Sequence, residues 1–192
     1  SIDTADGSVG TWNAGGSLPA DRAWGSLEEV GGTLYYIGGQ DDTSTNEQST
    51  VYYTSSISSG NPTWNGSSAT NNLPAARTKF GSTVWNDRIY VVGGLDGSAT
   101  STNTVYVSPK LTSGGDISSA WSSTSSSFNV ARSGLAVTSY ANNLYLFGGY
   151  DGSNYLSDVQ FASIGYKSGT ISQSGTTTVT GSGTSWTTAM EG

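Results

Sequence analysis

Cysteine and histidine are both missing from this chain of 192 residues. Without imidazole or thiol there is no Ser-His-Asp or Cys-His nucleophile. Zinc, which takes Cys or His in nearly every site, has no ligand set. No catalytic residue, metal or cofactor is expected; calcium on the loop carboxylates of Asp41, Asp42, Asp96 and Asp151 is the softer alternative, and the EF-hand spacing is absent. A disulfide framework is excluded too, so a folded state must rest on a buried core. Basic residues are scarce, with Lys and Arg numbering 7 against 14 Asp and Glu, a net charge of −7. A nucleic-acid partner needs a basic surface to displace counterions, and none exists here. Anionic membrane surfaces are disfavoured for the same reason, and no apolar run approaches the roughly 18 residues of a membrane helix. Charged residues make up only 11% and hydrophobic ones 34%.

The deficit is filled by Gly, Ser and Thr, while aromatics hold at 11%. That is not the profile of a disordered segment, which is aromatic-poor and highly charged. Tyr, Trp, Val and Thr are residues of sheets, and Gly, Asn, Asp and Ser are residues of turns. The composition predicts an all-β chain with many tight turns.

An apolar run ending on Gly-Gly occurs three times: Leu34-Tyr35-Tyr36-Ile37-Gly38-Gly39, Ile89-Tyr90-Val91-Val92-Gly93-Gly94 and Leu144-Tyr145-Leu146-Phe147-Gly148-Gly149. Successive copies are 55 residues apart. Other positions fall into step. Arg22, Arg77 and Arg132 share the same spacing, each after a small-residue approach such as Leu73-Pro74-Ala75-Ala76. The pairs Gly31-Gly32 and Asn86-Asp87, and the stretch Ala141-Asn142-Asn143, predict hairpin turns with positive φ before each apolar run. Asp41, Asp96 and Asp151 follow the Gly pairs and open polar loops. A third strand is predicted at Val51-Tyr52-Tyr53, Val105-Tyr106-Val107 and Val159-Gln160-Phe161, and a fourth is marked by Trp64, Trp121 and Trp12. A four-stranded unit of this size buries too little surface to stand alone. Repetition at a fixed period predicts sheets stacked side by side.

The set of marks resembles the kelch repeat: an Arg-containing lead-in, Tyr in the second strand, Gly-Gly, Asp-Gly, and Trp near the end. The resemblance implies propeller blades of four antiparallel strands over residues 1–164. It divides them into the last strand of a preceding blade at 1–20, blades at 21–75 and 76–130, and a partial blade at 131–164. About three blades fall short of the four to eight of a closed ring. The expectation is a piece of a longer array, which the missing Met favours. The alternatives are blades completed by a second copy, or an open arc packed on other subunits. Residues 165–192 read as a Ser/Thr/Gly-rich β tail or the start of a next domain. They loosely resemble Thr/Gly-rich modules of phage structural and bacterial surface proteins.

Arg22, Arg77 and Arg132 are the first binding candidates, because the resemblance implies that an Arg at this position lines one mouth of the channel, where an anion takes bidentate bonds. The alternative is structural: each Arg satisfies loop carbonyls or a neighbouring blade's Asp. Tyr150 and Tyr155 break the phase of the repeat and are the candidates for an exposed sugar- or receptor-facing surface. The remaining aromatics read as blade-to-blade packing. Asp41, Asp96 and Asp151 are turn residues first, since they recur at one position per repeat. Copper oxidases on similar propellers need His ligands, which this chain lacks.

The function expected is a non-enzymatic binding or structural module of a larger surface-exposed assembly. Its partners would be other protein subunits and a glycan or host receptor, and its setting extracellular or the virion surface, as in a phage appendage or a cell-surface adhesin. The alternative is a purely architectural module binding only its neighbours. A carbohydrate-active enzyme with paired carboxylates is a lesser one.

Overall fold

The computed structural model describes residues 10–42, 46–58, 61–111, 114–124, 126–164, 170–174 and 178–182. Strands β1 (Ser26–Val30), β2 (Thr33–Ile37), β3 (Val51–Ser58) and β4 (Asn61–Gly66) form a first antiparallel sheet in that order. A second sheet takes β5 (Gly81–Trp85), β6 (Arg88–Val92), β7 (Val105–Val107) and β8 (Ser122–Ser123), again in chain order. A third holds β9 (Ala136–Tyr140), β10 (Asn143–Phe147) and β11 (Val159–Ser163). The tail adds a separate hairpin, β12 (Thr170–Ser174) with β13 (Thr178–Ser182). The fold is all-β, and the three larger sheets do not close into a ring.

The turns form as their residues dictate. Gly31 and Gly32, Asn86 and Asp87, and Ala141 and Asn142 all have φ between 46° and 79°. Two central residues at positive φ give the turn whose twist matches that of the flanking strands. Even Ala141 is held there, although a Cβ makes that region unfavourable.

The burial pattern follows from stacking. In β2 alternate residues are buried, with Tyr35 and Ile37 facing the second sheet. In β6 the alternation vanishes, and Ile89, Tyr90, Val91 and Val92 are all buried. Ile89 and Val91 pack toward the first sheet, Tyr90 and Val92 toward the third. In β10 alternation returns, with Leu144 and Leu146 turned inward and Phe147 exposed. A middle sheet covered on both faces needs no polar side. Strand β5 lies against β1, and β9 against β5. Ser26 and Ser82 share a hydrogen bond across the first gap, and the Ser139 hydroxyl donates to the Val84 carbonyl at 2.8 Å across the second.

The Gly pairs are the joints between sheets. Gly39 N–H donates to the Arg77 carbonyl at 2.8 Å, and Gly94 N–H to the Arg132 carbonyl at 2.9 Å. Each joint thus reaches the lead-in of the next sheet.

Residues 10–18 carry no strand, and Trp12 is 89% exposed. Among the described residues no third strand lies beside that segment for the expected fourth strand to join. Trp121, by contrast, is buried. The expected calls on residues 1–9 and 183–192 lie outside the described residues.

Candidate functional site

The lead-in segments, the Gly pairs and the loops behind them meet on one face. A short bridge joins Ala23 to Gln40, Thr78 to Leu95, and Ser133 to Tyr150. A second bridge carries each of these on to its loop, pairing Gln40 with Glu47, Leu95 with Ser101, and Tyr150 with Tyr155. The backbone frame is therefore the same in all three repeats. The side chains mounted on it differ.

Just past each first bridge the chain turns a corner at positive φ: Trp24 at 54°, Lys79 at 52° and Gly134 at 64°. The corners are hydrogen-bonded in series. Lys79 N–H donates to the Trp24 carbonyl at 3.0 Å, and Gly134 N–H to the Lys79 carbonyl at 2.7 Å. Non-glycine residues held in this region cluster at functional positions, where the surroundings over-determine them. Trp24 is 57% exposed, and the Lys79 ammonium sits 4.7 Å from the centre of its ring.

Beside this corner lies an open cleft of about 390 Å3, bounded by Lys79, Gly134, Tyr150, Tyr155 and Leu156. The two tyrosine rings are 5.2 Å apart and tilted, and Tyr155 is 90% exposed. The Tyr150 hydroxyl donates to the Gly152 carbonyl at 2.9 Å, which fixes its ring. The Ser101 hydroxyl of the second repeat reaches the Tyr150 carbonyl at 3.5 Å. The cleft thus spans two repeats and offers one cation, a rigid aromatic ring and a free one.

The loop aspartates fold the loops beneath. Asp151 Oδ1 accepts from the backbone N–H of Ser153 and Asn154, and those bonds hold its carboxyl below the ordinary range. Asp96 Oδ1 accepts from the N–H of Ser98 and Thr100 in the same manner. Asp41 Oδ2 takes the Asn46 and Gln48 side-chain amides.

The three arginines sit behind this face and bond within their own sheets. Arg22 donates to Thr50 Oγ1 and the Tyr52 hydroxyl at 3.0 and 2.9 Å. Arg77 does the same with Thr104 Oγ1 and the Tyr106 hydroxyl at 2.7 and 2.9 Å. Arg132 is fully buried and meets Asp158 through two parallel bonds of 2.7 and 3.0 Å, with further bonds to the Val130 and Gly148 carbonyls. The structure therefore joins Tyr150 with Tyr155 at the cleft, buries Arg77 and Arg132, and leaves Arg22 half-buried.

Sequence reasoning missed Trp24 and Lys79. The signal was available: with Gly134 they lie at the same phase of the repeat, one glycine and two bulky residues at a single left-handed corner.

A family model described as the KLHDC2/KLHL20/DRC7 Kelch-repeats domain matches residues 26–190. The search of curated proteins returns no match.

Proposed function

The chain belongs to the kelch-repeat family, and from that premise we propose that it seats a protein partner at the loop face, in the cleft between Lys79 and the Tyr150–Tyr155 pair. Kelch repeats are protein-interaction modules. The observation that carries the location is the contrast at this face between constant frame and changing side chains. Identical bridges hold Gln40, Leu95 and Tyr150, then Glu47, Ser101 and Tyr155. Variable residues on a rigid scaffold are where recognition resides. The arginines and aspartates keep that scaffold in place.

The partner chemistry follows from the lining. Lys79 takes a carboxylate, and the tyrosine pair takes a flat or aliphatic neighbour while offering hydroxyls at its edge. An extended peptide with an acidic residue beside an apolar one fits. The composition, acidic and rich in Ser, Thr and Gly, supports a setting on an extracellular or virion surface within a larger assembly.

An array of acidic dodecapeptides, with the same sequences carrying Asn and Gln for Asp and Glu, tests the cleft. The protein is expected to retain acidic members selectively. Tyr155→Ala and Lys79→Ala are each expected to weaken that binding by about tenfold, or roughly 1.4 kcal/mol, without moving the melting midpoint. Equal retention of both peptide sets, or variants that bind like the parent, would overturn the site.

One observation favours a second reading. Trp24 and Tyr155 are both exposed aromatics on this face, and such rings stack on sugars as well as on side chains. A host receptor presenting a glycan would then be the partner. Retention on a glycan array, lost in Trp24→Ala and absent on the peptide array, selects that reading over the first.

A further inference from the structure

Each seam between neighbouring sheets is closed by the same three backbone hydrogen bonds. In the first seam Gly39 N–H donates to the Arg77 carbonyl at 2.8 Å, Arg77 N–H to the Gln48 carbonyl at 3.1 Å, and Lys79 N–H to the Trp24 carbonyl at 3.0 Å. In the second, Gly94 N–H donates to the Arg132 carbonyl at 2.9 Å, Arg132 N–H to the Thr102 carbonyl at 3.1 Å, and Gly134 N–H to the Lys79 carbonyl at 2.7 Å. The seam is thus a connector with two unlike halves.

The ends of the stack carry those halves unused. The third sheet presents the Gly149 N–H and the carbonyls of Gly134 and Leu156. Leu156 holds the place of Gln48 and Thr102, since each of the three donates its own N–H to the carbonyl of its Gly pair. The first sheet presents the Arg22 carbonyl and the N–H groups of Arg22 and Trp24. Among the described residues none of these six groups has a backbone partner. One donor and two acceptors at one end match one acceptor and two donors at the other.

The side chains agree. Pairing sets Tyr140, Phe147, Val159 and Phe161 on one outer face of the third sheet, all exposed, and β9, β10 and β11 carry no charged residue. On the outer face of the first sheet Leu34 and Tyr36 stand where Ile89 and Val91 stand in the second, with the exposed Leu27 opposite Tyr36.

We infer that the outer face of the third sheet takes the first sheet of a second copy of this chain, joined head to tail. The apolar faces drive the contact and the three backbone bonds set its register. A contact between unlike surfaces propagates until the rotation closes. Two copies bring six sheets, within the four to eight at which radial sheets close, and three would exceed it. The pair therefore closes through two identical new seams. Trp24 of the second copy then comes onto Gly134, at the rim of the loop-face cleft.

The two existing seams set the test. Ser26 meets Ser82 across the first. Across the second, Gly81, 55 residues after Ser26, stands against Val137. The next pair in the series is Ala136 with Leu27 of the second copy. Both positions are exposed, at opposite ends of the stack, and the chain has no native cysteine to interfere. Leu27→Cys alone and Ala136→Cys alone are each expected to remain single chains on a non-reducing gel after mild oxidation. An equimolar mixture of the two is expected to give a covalent pair, as is the double variant. Sedimentation of the parent over a concentration series is expected to show single chains and pairs only. Four outcomes would overturn the inference: a parent that stays a single chain throughout, a mixture that does not cross-link, Ala136→Cys that cross-links alone as readily as the mixture, or a ladder of longer assemblies.

Discussion

At Arg132 a single position shows how one job is done with different chemistry in successive repeats. Arg22 and Arg77 meet a threonine and a tyrosine hydroxyl on the third strand. In the third repeat those two residues are Asp158 and Gln160, and the neutral bonds become an ion pair with bidentate geometry. A buried guanidinium left without its partner is costly. The bonds from Arg132 bring the Asp158 carboxyl from its ordinary 3.8 down to about 2. A carboxylate lowered on folding contributes stability in full above its unfolded value, and that contribution fades as the pH falls through the folded one. The melting midpoint of the parent should therefore drop between about pH 4 and pH 2. Glu28 works in the opposite sense, since burial between the first and second sheets pushes its carboxyl up. Comparison with Asp158→Asn isolates the pair. That variant should begin lower at pH 6 and show a shallower fall below pH 4, and parallel curves would refute the account. The position of each Arg was legible in the sequence. Its partners were not, because nothing in the spacing of 26 residues between Arg132 and Asp158 says which strand returns to meet it.

At the scale of elements, the joint between sheets depends on backbone that only glycine supplies. Gly93 has a φ of 64°, and a Cβ built there would stand 2.8 Å from the Arg132 carbonyl. Gly134 has the same φ of 64°, with nothing within 4 Å of the added atom. Trp24 and Lys79 occupy the equivalent corner, which shows that the corner tolerates a side chain. Gly134→Ala should therefore cost only the conformational term, about 1 kcal/mol. Gly93→Ala adds a clash with backbone that cannot swing aside, and should cost more than about 2 kcal/mol. Denaturant unfolding of the two variants measures the difference, and equal losses would remove the joint from the explanation. The hairpins and Gly pairs could be read from the chain because they are local: two turn residues and an alternating run specify them. The fourth strands were marked by their tryptophans, and at Trp64 and Trp121 the mark holds, with β4 around the first and β8 directly after the second; at Trp12 it does not. β8 is two residues long, and such a strand exists through the edge it joins, so Trp12 carries the sequence mark and forms no strand.

The whole molecule is a stack, and stacking makes burial a matter of who comes next. Tyr35 and Ile37 are 0% exposed because the second sheet covers them, and Val92 is 2% exposed because the third does. On the third sheet the corresponding face is uncovered, on β10 and on β11 beside it. Phe147 is 42% exposed, Val159 55% and Phe161 69%, and the Tyr145 and Phe161 rings sit 5.9 Å apart on that face. The sequence offers no hint of this, since the third apolar run is as hydrophobic as the two that are covered. An apolar sheet face of this kind drives association. Placing a charge at its centre should oppose association and leave the fold intact, because the position is already wet. Phe161→Lys is thus expected to shift the protein toward monomer in sedimentation across a concentration series, with a melting midpoint within a few degrees of the parent. A variant that associated as strongly as the parent would mean that the contacts lie elsewhere. One that melted far lower would mean that Phe161 is covered within the single chain, contrary to its exposure here.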